Sequence, residues 1–368
     1  MQKHTWTALL AATILTVSLA GCAGTPGLTS SSPSGDGTTG PVQTEGSSAE
    51  TGQTTAPTET TSGQQTPTQG NMNRLTGLND MAGQSNARAV GIMIGNNTRS
   101  RPQYGLDKAD LFVEAETEGG ITRIMAVFSS ADRVPAQLGP VRSARSPFVL
   151  MAQSLDLVYS HAGGSKGGLN TVQTSGIAAI NALAYDGSTF WRDAGLKASK
   201  GQEYSMMVSG KNLASRVSAL GFRTTSDRTP FTFGKSTRGS AANNVQVYMT
   251  GAQTVSFAYN TASGLYTKQN GKLGSAAHTA ADGTPITVSN VLVMFDSKYA
   301  ENSETINFRL SSGSGLLCSG GTVRNIRWSR SANGLQFTEE DGSSMTMGAG
   351  KTYICLVDKS YSGNTVTK

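Results

Sequence analysis

Residues 111–128 read LFVEAETEGGITRIMAVF, which is the clearest structural signal in this 368-residue chain. Two runs rich in apolar and β-branched residues, 111–117 and 121–128, flank the short connection Glu118-Gly119-Gly120. Glycine reaches the positive φ angles of a tight connection without steric penalty. The stretch therefore predicts a β-hairpin, and the segments around it define the rest of the fold.

The region around the hairpin alternates predicted strands and helices, as in a mixed α/β fold. The run AVGIMI at 89–94 predicts a buried strand. Ser209 predicts the cap of a helix that begins at Gly210 and stops at Gly221. We therefore expect a mixed α/β domain at residues 74–223. Further strands are predicted at 157–161 and 206–208, and further helices at 147–155 and 178–183.

The second half of the chain has a different pattern, because helical periodicity is weak after Val245. Short strand-like runs alternate with Gly, Asn and Asp turns at hairpin spacing. This predicts a β-rich domain at residues 241–362, built as a small sheet or barrel. The polar stretch 224–240 is the predicted linker between the two domains. Strands are predicted at 255–260, 264–268, 288–295, 306–310, 321–330, 334–338 and 352–357.

The chain begins with a leader that ends in Leu19-Ala20-Gly21-Cys22. An apolar run such as 8–20 is typical of a signal peptide and is short for a membrane span. The cysteine predicts a lipobox: residues 1–21 are removed, and Cys22 carries diacylglycerol and a further acyl chain such as palmitate. The alternative is an ordinary secretory peptide with a chance cysteine. Lipidation predicts a protein on the outer face of the bacterial cytoplasmic membrane.

Residues 22–73 form the predicted tether between the anchor and the folded part. After Cys22 they are almost entirely small or polar residues, with no aromatic side chain, and such a composition cannot form a core. A flexible coil of this length spans roughly 40 Å. We therefore predict a disordered low-complexity linker that lets the folded part reach into the cell envelope.

Positive charge is concentrated in the folded part. The formal net charge is +6, and without Lys3 of the leader and the four acids of the tether it is +9 for residues 74–368. A basic surface outside the membrane predicts an anionic cell-wall or lipid-phosphate ligand, or an envelope protein partner. The sequence contains none of the usual nucleic-acid-binding motifs, so we expect no nucleic-acid partner.

The remaining cysteines do not predict a metal site. Cys318 and Cys355 lie in separate strand-like segments, and an extracytoplasmic location permits either a disulfide or two buried thiols. Two cysteines without nearby histidines or paired aspartates fall short of a zinc ligand set. We expect no metal and no cofactor.

The strongest binding motif is GPVRSARSP at residues 139–147. On the first turn of a helix Arg142 and Arg145 would share a face, and with Ser143 and free backbone N–H groups they would form an anion cradle. Alternatively, the two arginines form structural ion pairs. The acids that the sequence suggests for such pairs are Asp107, Asp110, Glu114 and Glu116.

Glu114, Glu116 and His161 are the candidate catalytic residues. The two glutamates alternate along a predicted strand, so they project from one face, where paired carboxylates can do acid–base work. His161 ends a strand before a glycine-rich turn, which is where α/β sheets place ligand-contacting groups. The alternative is a hydrogen-bonded structural histidine, with the glutamates on a solvated face or paired with Arg123, Arg142 and Arg145.

Seven short stretches carry a resemblance to a known family: 101–103 (RPQ), 109–110 (AD), 118–123 (EGGITR), 139–145 (GPVRSAR), 161–165 (HAGGS), 264–266 (GLY) and 350–352 (GKT). Together they resemble the YerB family of bacterial lipoproteins over nearly all of the folded part. The resemblance implies an anchor, a low-complexity spacer, an N-terminal domain and a β-rich C-terminal domain, in a family of unknown function. The sequence departs from it at Gln202-Glu203-Tyr204, where a His-Asn pair is expected before the tyrosine.

Two classes of function follow. The favoured class is a non-catalytic lipoprotein that binds an anionic envelope ligand or a partner protein. The alternative is a cell-envelope hydrolase or transferase in which Glu114 or Glu116 is the acid or base and His161 the proton shuttle. Catalysis requires a glutamate and His161 to converge on one cleft. The predicted ligand-binding residues are Arg123, Arg142, Ser143, Arg145 and His161.

Overall fold

The structure, a computed structural model, describes residues 70–235, 238–302 and 305–368. The predicted leader, the predicted lipidation site Cys22 and nearly all of the predicted tether lie outside the described residues. The elements of the first half are β1 (Val90–Gly95), β2 (Leu111–Glu116), β3 (Thr122–Phe128), α1 (Ser146–Ser154), β4 (Val158–His161), α2 (Lys166–Ser175), β5 (Ala179–Asn181), β6 (Phe190–Arg192), α3 (Ala194–Lys200), β7 (Met206–Val208) and α4 (Gly210–Ala219).

Apart from one 3₁₀ helix at Lys359–Asn364, the described regular elements of the second half are strands. They are β8 (Thr232–Phe233), β9 (Ser240–Ala241), β10 (Asn244–Tyr248), β11 (Thr254–Asn260), β12 (Leu265–Gln269), β13 (Thr287–Val288), β14 (Asn290–Asp296), β15 (Lys298–Ala300), β16 (Ile306–Phe308), β17 (Ser312–Ser319), β18 (Thr322–Ser331), β19 (Gly334–Glu339), β20 (Thr346–Met347), β21 (Thr352–Asp358) and β22 (Val366–Thr367).

The predicted hairpin is confirmed and lies at the centre of the fold. β2 and β3 pair antiparallel, and Gly119 and Gly120 in the connection have φ values of 69° and 67°. Every residue of both strands is buried, because other elements cover both faces of the hairpin. Residues 111–128 thus form the middle of the core.

One 11-stranded sheet contains the hairpin, in the order β19-β18-β17-β14-β21-β2-β3-β1-β4-β5, with β9 beside β18. β2 pairs in parallel with β21, so strands from both halves of the chain build this sheet. A second sheet of five strands, β13-β12-β11-β10-β22, belongs to the second half. The fold class is as predicted, a mixed α/β first half and a strand-rich second half. The domain bounds at 74–223 and 241–362 remain predictions.

Capping and pairing explain where the helices form. Ser209 accepts a hydrogen bond from the N–H of the third residue of α4 at 3.2 Å, and Gly221 follows that helix at φ 63°, as predicted. The sequence pattern does not predict α2, yet Ser165 caps it and it packs against α1. The predicted helix at 178–183 is wrong: it contains β5, because this segment pairs in parallel with β4.

Cys318 and Cys355 are both free, fully buried thiols. Their strands lie on opposite sides of β14, where Cys318 pairs with Val291 and Cys355 with Val293. Two strand spacings separate them by roughly 10 Å, which is beyond the Cα distance that a disulfide allows. Burial raises the pKa of Cys318 to about 12. Of the two alternatives from the sequence, this structure has the buried thiols.

Candidate functional site

Most strands in the middle of the large sheet direct their carboxyl ends to one edge. β14, β21, β2, β1, β4 and β5 run parallel to one another, with β3 antiparallel between β2 and β1. In α/β sheets ligands bind outside the carboxyl ends of the strands. The segment 139–145 lies at this edge, because its backbone hydrogen-bonds to the ends of β1 and β4 at Gly95 and Gly163. Glu118, in the turn after β2, lies there as well.

Arg123 and Arg145 meet one glutamate at this edge, with Arg142 nearby, and we call Arg123, Arg142, Arg145 and Glu118 the arginine cluster. Arg145 binds the Glu118 carboxylate through two donors, Nη2 and, at 2.6 Å, Nε. Arg123 donates from Nη2 to the same carboxylate at 3.2 Å and from Nη1 to the Ser143 carbonyl at 2.8 Å. The Arg123 and Arg145 side chains are 6% and 10% exposed, against 30% for Glu118. Two nearly buried guanidinium groups thus bind one partly exposed carboxylate.

Positive charge exceeds negative charge inside the arginine cluster. Burial, followed by the positive charge of Arg145, lowers the pKa of Arg123 to about 10, and Arg142 contributes in the same direction. Burial raises the pKa of Glu118, but the hydrogen bond from Arg145 and the charge of Arg123 outweigh it, so that pKa lies below its usual value. Glu118 and the exposed Glu203, which pairs with Arg142, do not neutralise three guanidinium groups, so a further anion would be stabilised here.

Arg142 extends the arginine cluster towards solvent. Its Nη1 donates to the Glu203 carbonyl at 2.5 Å and its Nη2 to the Glu203 carboxylate at 3.3 Å. This ion pair is weak, because the Glu203 side chain is 71% exposed. The guanidinium carbon of Arg142 also lies 4.7 Å from the centroid of the Tyr204 ring, and that of Arg99 lies 5.1 Å from it. Arg142 is therefore held by an aromatic ring and an exposed acid.

Two expectations about the arginine motif are wrong. Arg145 has φ −136° and ψ 144°, and α1 begins one residue later, so Arg142 and Arg145 do not lie on a helical turn. The segment is extended because Ala144 forms a parallel bridge to Gly164 beside β4. Arg142 and Arg145 pair with the two glutamates described above, and not with the acids that the sequence suggested, Asp107, Asp110, Glu114 and Glu116.

Ser143 and His161 lie beside the arginine cluster. Ser143 contributes its carbonyl to Arg123. The Nδ1 atom of His161 lies 2.7 Å from the Gly163 carbonyl. A carbonyl oxygen only accepts, so Nδ1 carries the proton. Burial lowers the pKa of His161, which is 2% exposed, so the ring is neutral near pH 7. His161 therefore orients the glycine turn and adds no positive charge to the site.

The predicted convergence of Glu114 or Glu116 with His161 does not occur. Glu114 pairs with Ile124, which in turn pairs with Ile94, so these side chains share one face of the sheet. Tyr159 pairs with Gly91 of β1, three residues before Ile94, and positions three apart on a strand face opposite sides. Tyr159 and His161 therefore project from the opposite face. The sheet itself separates the glutamates from the histidine, and they cannot share one cleft.

Glu114 belongs instead to a set of buried polar side chains that joins the two halves of the chain. Its carboxylate accepts a hydrogen bond from the Tyr353 hydroxyl and lies 3.8 Å from Lys268 Nζ. That Nζ lies 3.1 Å from Nδ1 of His278, whose Nε2 is 2.8 Å from Gln103 Oε1. Burial lowers the pKa of Lys268, and Glu114 opposes the shift. We call Glu114, Gln103, Lys268, His278 and Tyr353 the buried network.

Glu116 also has a lysine partner from the second half of the chain. Its carboxylate lies 2.7 Å from Lys298 Nζ, and the two side chains are 9% and 22% exposed. The same ammonium group lies 3.8 Å from Asp358. Both candidate catalytic glutamates are therefore neutralised by lysines, because β2 lies beside β21 and not beside residues 139–145, which we call the arginine segment.

A cavity of about 300 Å³ lies away from these residues, near the amino ends of β1 and β4. Val90, Val158 and Val217 contribute to its lining, and none of the predicted site residues does. In residues 70–235, 238–302 and 305–368 no group of three or more His, Cys, Asp or Glu side chains is placed to hold a metal ion. Among the helices of that same part, none has the length and hydrophobicity to cross a bilayer.

The fold and site define a mixed α/β protein with a guanidinium cluster at the carboxyl edge of a sheet that both halves build. Residues 75–223 match the model of the "Protein of unknown function (DUF3048) N-terminal domain", and residues 245–354 match its C-terminal counterpart. "Putative lipoprotein YerB" of Bacillus subtilis is 31% identical over 291 residues, which is 77% of this chain and 85% of that protein. The chain belongs to this family of unknown function, as the sequence motifs predicted.

A solved structure agrees with this assignment. The crystal structure of the YerB protein from Bacillus subtilis superimposes with a TM-score of 0.69 at 29% sequence identity. The match covers 78% of this chain and 97% of that one. The likeness therefore extends over both halves of the fold.

The sequence pattern identifies the arginines but not their partners. Glu118 begins the hairpin turn and Arg123 lies just after it, so proximity across a tight connection is the signal that could have paired them. Lys268 follows Tyr266 at the strand period of two, and both are buried, so alternation along β12 could have placed this lysine inside. No local signal connects Lys268 with Glu114, which lies 154 residues earlier in the chain.

Proposed function

We propose that this protein is an extracytoplasmic lipoprotein, anchored through Cys22 on the outer face of the bacterial cytoplasmic membrane, whose arginine cluster binds a phosphate-bearing envelope ligand without catalysis. The excess of positive charge in the arginine cluster is the observation that supports binding most directly. The Leu19-Ala20-Gly21-Cys22 motif and the relationship to a protein named as a lipoprotein support the anchor. The position of the cluster, at the carboxyl edge of parallel strands, is where ligands of α/β proteins bind.

Phosphate suits the arginine cluster better than a neutral ligand. Guanidinium groups bind phosphate oxygens through paired N–H donors, as Arg145 already binds the Glu118 carboxylate. Glu118 is only partly buried, so its side chain can turn into solvent and leave both Arg123 and Arg145 to the incoming anion. A ligand phosphate would then take the position of this carboxylate.

Binding of a fluorescent short-chain polyphosphate to the full chain in nanodiscs tests the proposed site. Changing Arg142 and Arg145 together to Gln should weaken binding at least tenfold, because each charge-assisted contact contributes about 1.5 to 3 kcal/mol. Arg327→Gln is the matched control, since this arginine is exposed on β18 and lies outside the arginine cluster. A double variant with a lower melting temperature but unchanged polyphosphate affinity would show that the two arginines are structural.

The anchor has a separate test. Metabolic labelling with a palmitate analogue should mark the wild-type chain and not Cys22→Ser, because the thiol of Cys22 is the predicted attachment point. Labelling that persists in Cys22→Ser would remove the lipobox interpretation. The result does not depend on what the arginine cluster binds.

A further inference from the structure

Two exposed leucines lie close to the arginine cluster. Leu169 is in α2 and Leu183 follows β5, so both belong to the elements that flank the carboxyl end of β4. Exposure of an apolar side chain to water is unfavourable, and apolar groups that are exposed next to one another mark interaction sites. In the described part of the chain the exposed large apolar side chains are Leu78 (43%), Leu169 (40%), Leu183 (51%) and Tyr299 (38%).

Only a pair of glycines separates these leucines from the arginine segment. A Cβ atom added to Gly163 would lie 3.1 Å from Leu183, and one added to Gly164 would lie 2.9 Å from Leu169. Gly164 forms a parallel bridge to Ala144, the residue before the second arginine of the motif. The leucine side chains therefore lie over the glycine turn, one strand spacing from the arginine segment. Side chains on the turn would fill the space that the leucines occupy.

A lysine adds to the mixed character of this surface. Lys166, the first residue of α2, is exposed three residues before Leu169. A cationic and an apolar side chain thus project from the same helix beside the glycine turn, and the Glu301 carboxylate lies close to Gly167 of that helix. A ligand that matches this pattern carries negative charge and apolar surface in the same molecule.

We propose that the ligand of the arginine cluster is a phosphate-bearing lipid, with its phosphate at Arg123, Arg142 and Arg145 and part of its apolar chain over Leu169 and Leu183. This inference rests on the proposed function and names the ligand class. A soluble anionic polymer would satisfy the arginines and leave both leucines in water. A lipid satisfies the arginines and covers the leucines, so affinity should depend on its hydrocarbon as well as its charge.

A series of alkyl phosphates separates the two contributions, because the headgroup stays constant while the chain grows. Methyl, butyl and hexyl phosphate, below micelle-forming concentrations, are titrated by NMR against the full chain in zwitterionic nanodiscs, with empty nanodiscs as the blank. We expect affinity to rise at least tenfold from methyl to hexyl phosphate. Changing Leu169 and Leu183 together to Ser should abolish this rise and leave methyl phosphate binding unchanged. Leu78→Ser, an equally exposed leucine in the segment before β1, should preserve the rise.

The outcomes distinguish this inference from the proposed function. Affinity that is independent of chain length, or a chain-length effect that survives in the double leucine variant, overturns the lipid assignment. In that case a loss of methyl phosphate binding in Arg145→Gln still supports the phosphate site. If Arg145→Gln binds all three alkyl phosphates as well as the wild type does, the phosphate site is wrong and the lipid assignment falls with it. Melting temperatures of all variants identify any that are misfolded.

Discussion

Replacing Lys268 by Met should destabilise the protein by about 3 kcal/mol, because it leaves the buried carboxylate of Glu114 without its cation. The two charged groups are 3.8 Å apart, and their side chains are 0% and 1% exposed. With an effective dielectric constant of 20, Coulomb's law gives an attraction of about 4 kcal/mol at this distance. Glu114 keeps its hydrogen bonds from Asn96, Thr122 and Tyr353, so the loss should be smaller than the full attraction.

Urea unfolding of the full chain measures this loss. Lys272→Met is the matched control: it removes an exposed lysine from the turn after the same strand, and its effect should stay within about 0.5 kcal/mol. Adding Glu114→Gln to Lys268→Met should recover part of the loss, because the double variant has no unpaired buried charge. A Lys268→Met variant as stable as the control, or losses that simply add in the double variant, would refute the ion pair as a stabilising contact.

Three further predictions concern other buried groups. Burial holds the pKa of His278 well below 6.5, so below about pH 6.5 the unfolded chain binds more protons than the folded chain, and the unfolding free energy should decrease by at most about 1.4 kcal/mol per pH unit for this group. Urea unfolding at pH 7, 6 and 5 should show a smaller decrease of the unfolding free energy with falling pH for His278→Gln than for the wild type. Gly168→Ala should weaken polyphosphate binding, because the new Cβ would lie 2.6 Å from the Ala144 carbonyl oxygen and displace the arginine segment; wild-type affinity would contradict this. Cys318 and Cys355 should resist iodoacetamide until the protein unfolds, and mass spectrometry showing rapid native labelling would contradict their burial.

Local sequence patterns predicted most of the elements but not how the two halves meet. The seven predicted strands of the second half are close to observed ones, as with β21 at Thr352–Asp358 against a predicted strand at 352–357, although shorter strands such as β15 were not predicted. The pairing of β2 with β21 could not be read from either segment, because both strands are buried on both faces and neither pattern selects a particular neighbour. The predicted linker at 224–240 therefore does not separate two independent sheets.

For the candidate site, too, some features follow from the sequence and others only from the tertiary structure. Sequence alone indicated the class of protein through a predicted anchoring cysteine, a basic folded part, a central hairpin and an arginine motif beside a glycine turn, which are all local or compositional features. Tertiary structure decided which charges meet. Glu114 lies within β2, on the face that Lys268 contacts, whereas Glu118 lies in the turn after β2 at the carboxyl edge, so Lys268 binds the first and Arg145 the second. Such pairings depend on contacts between residues far apart in the chain, and only the packed sheet determines them.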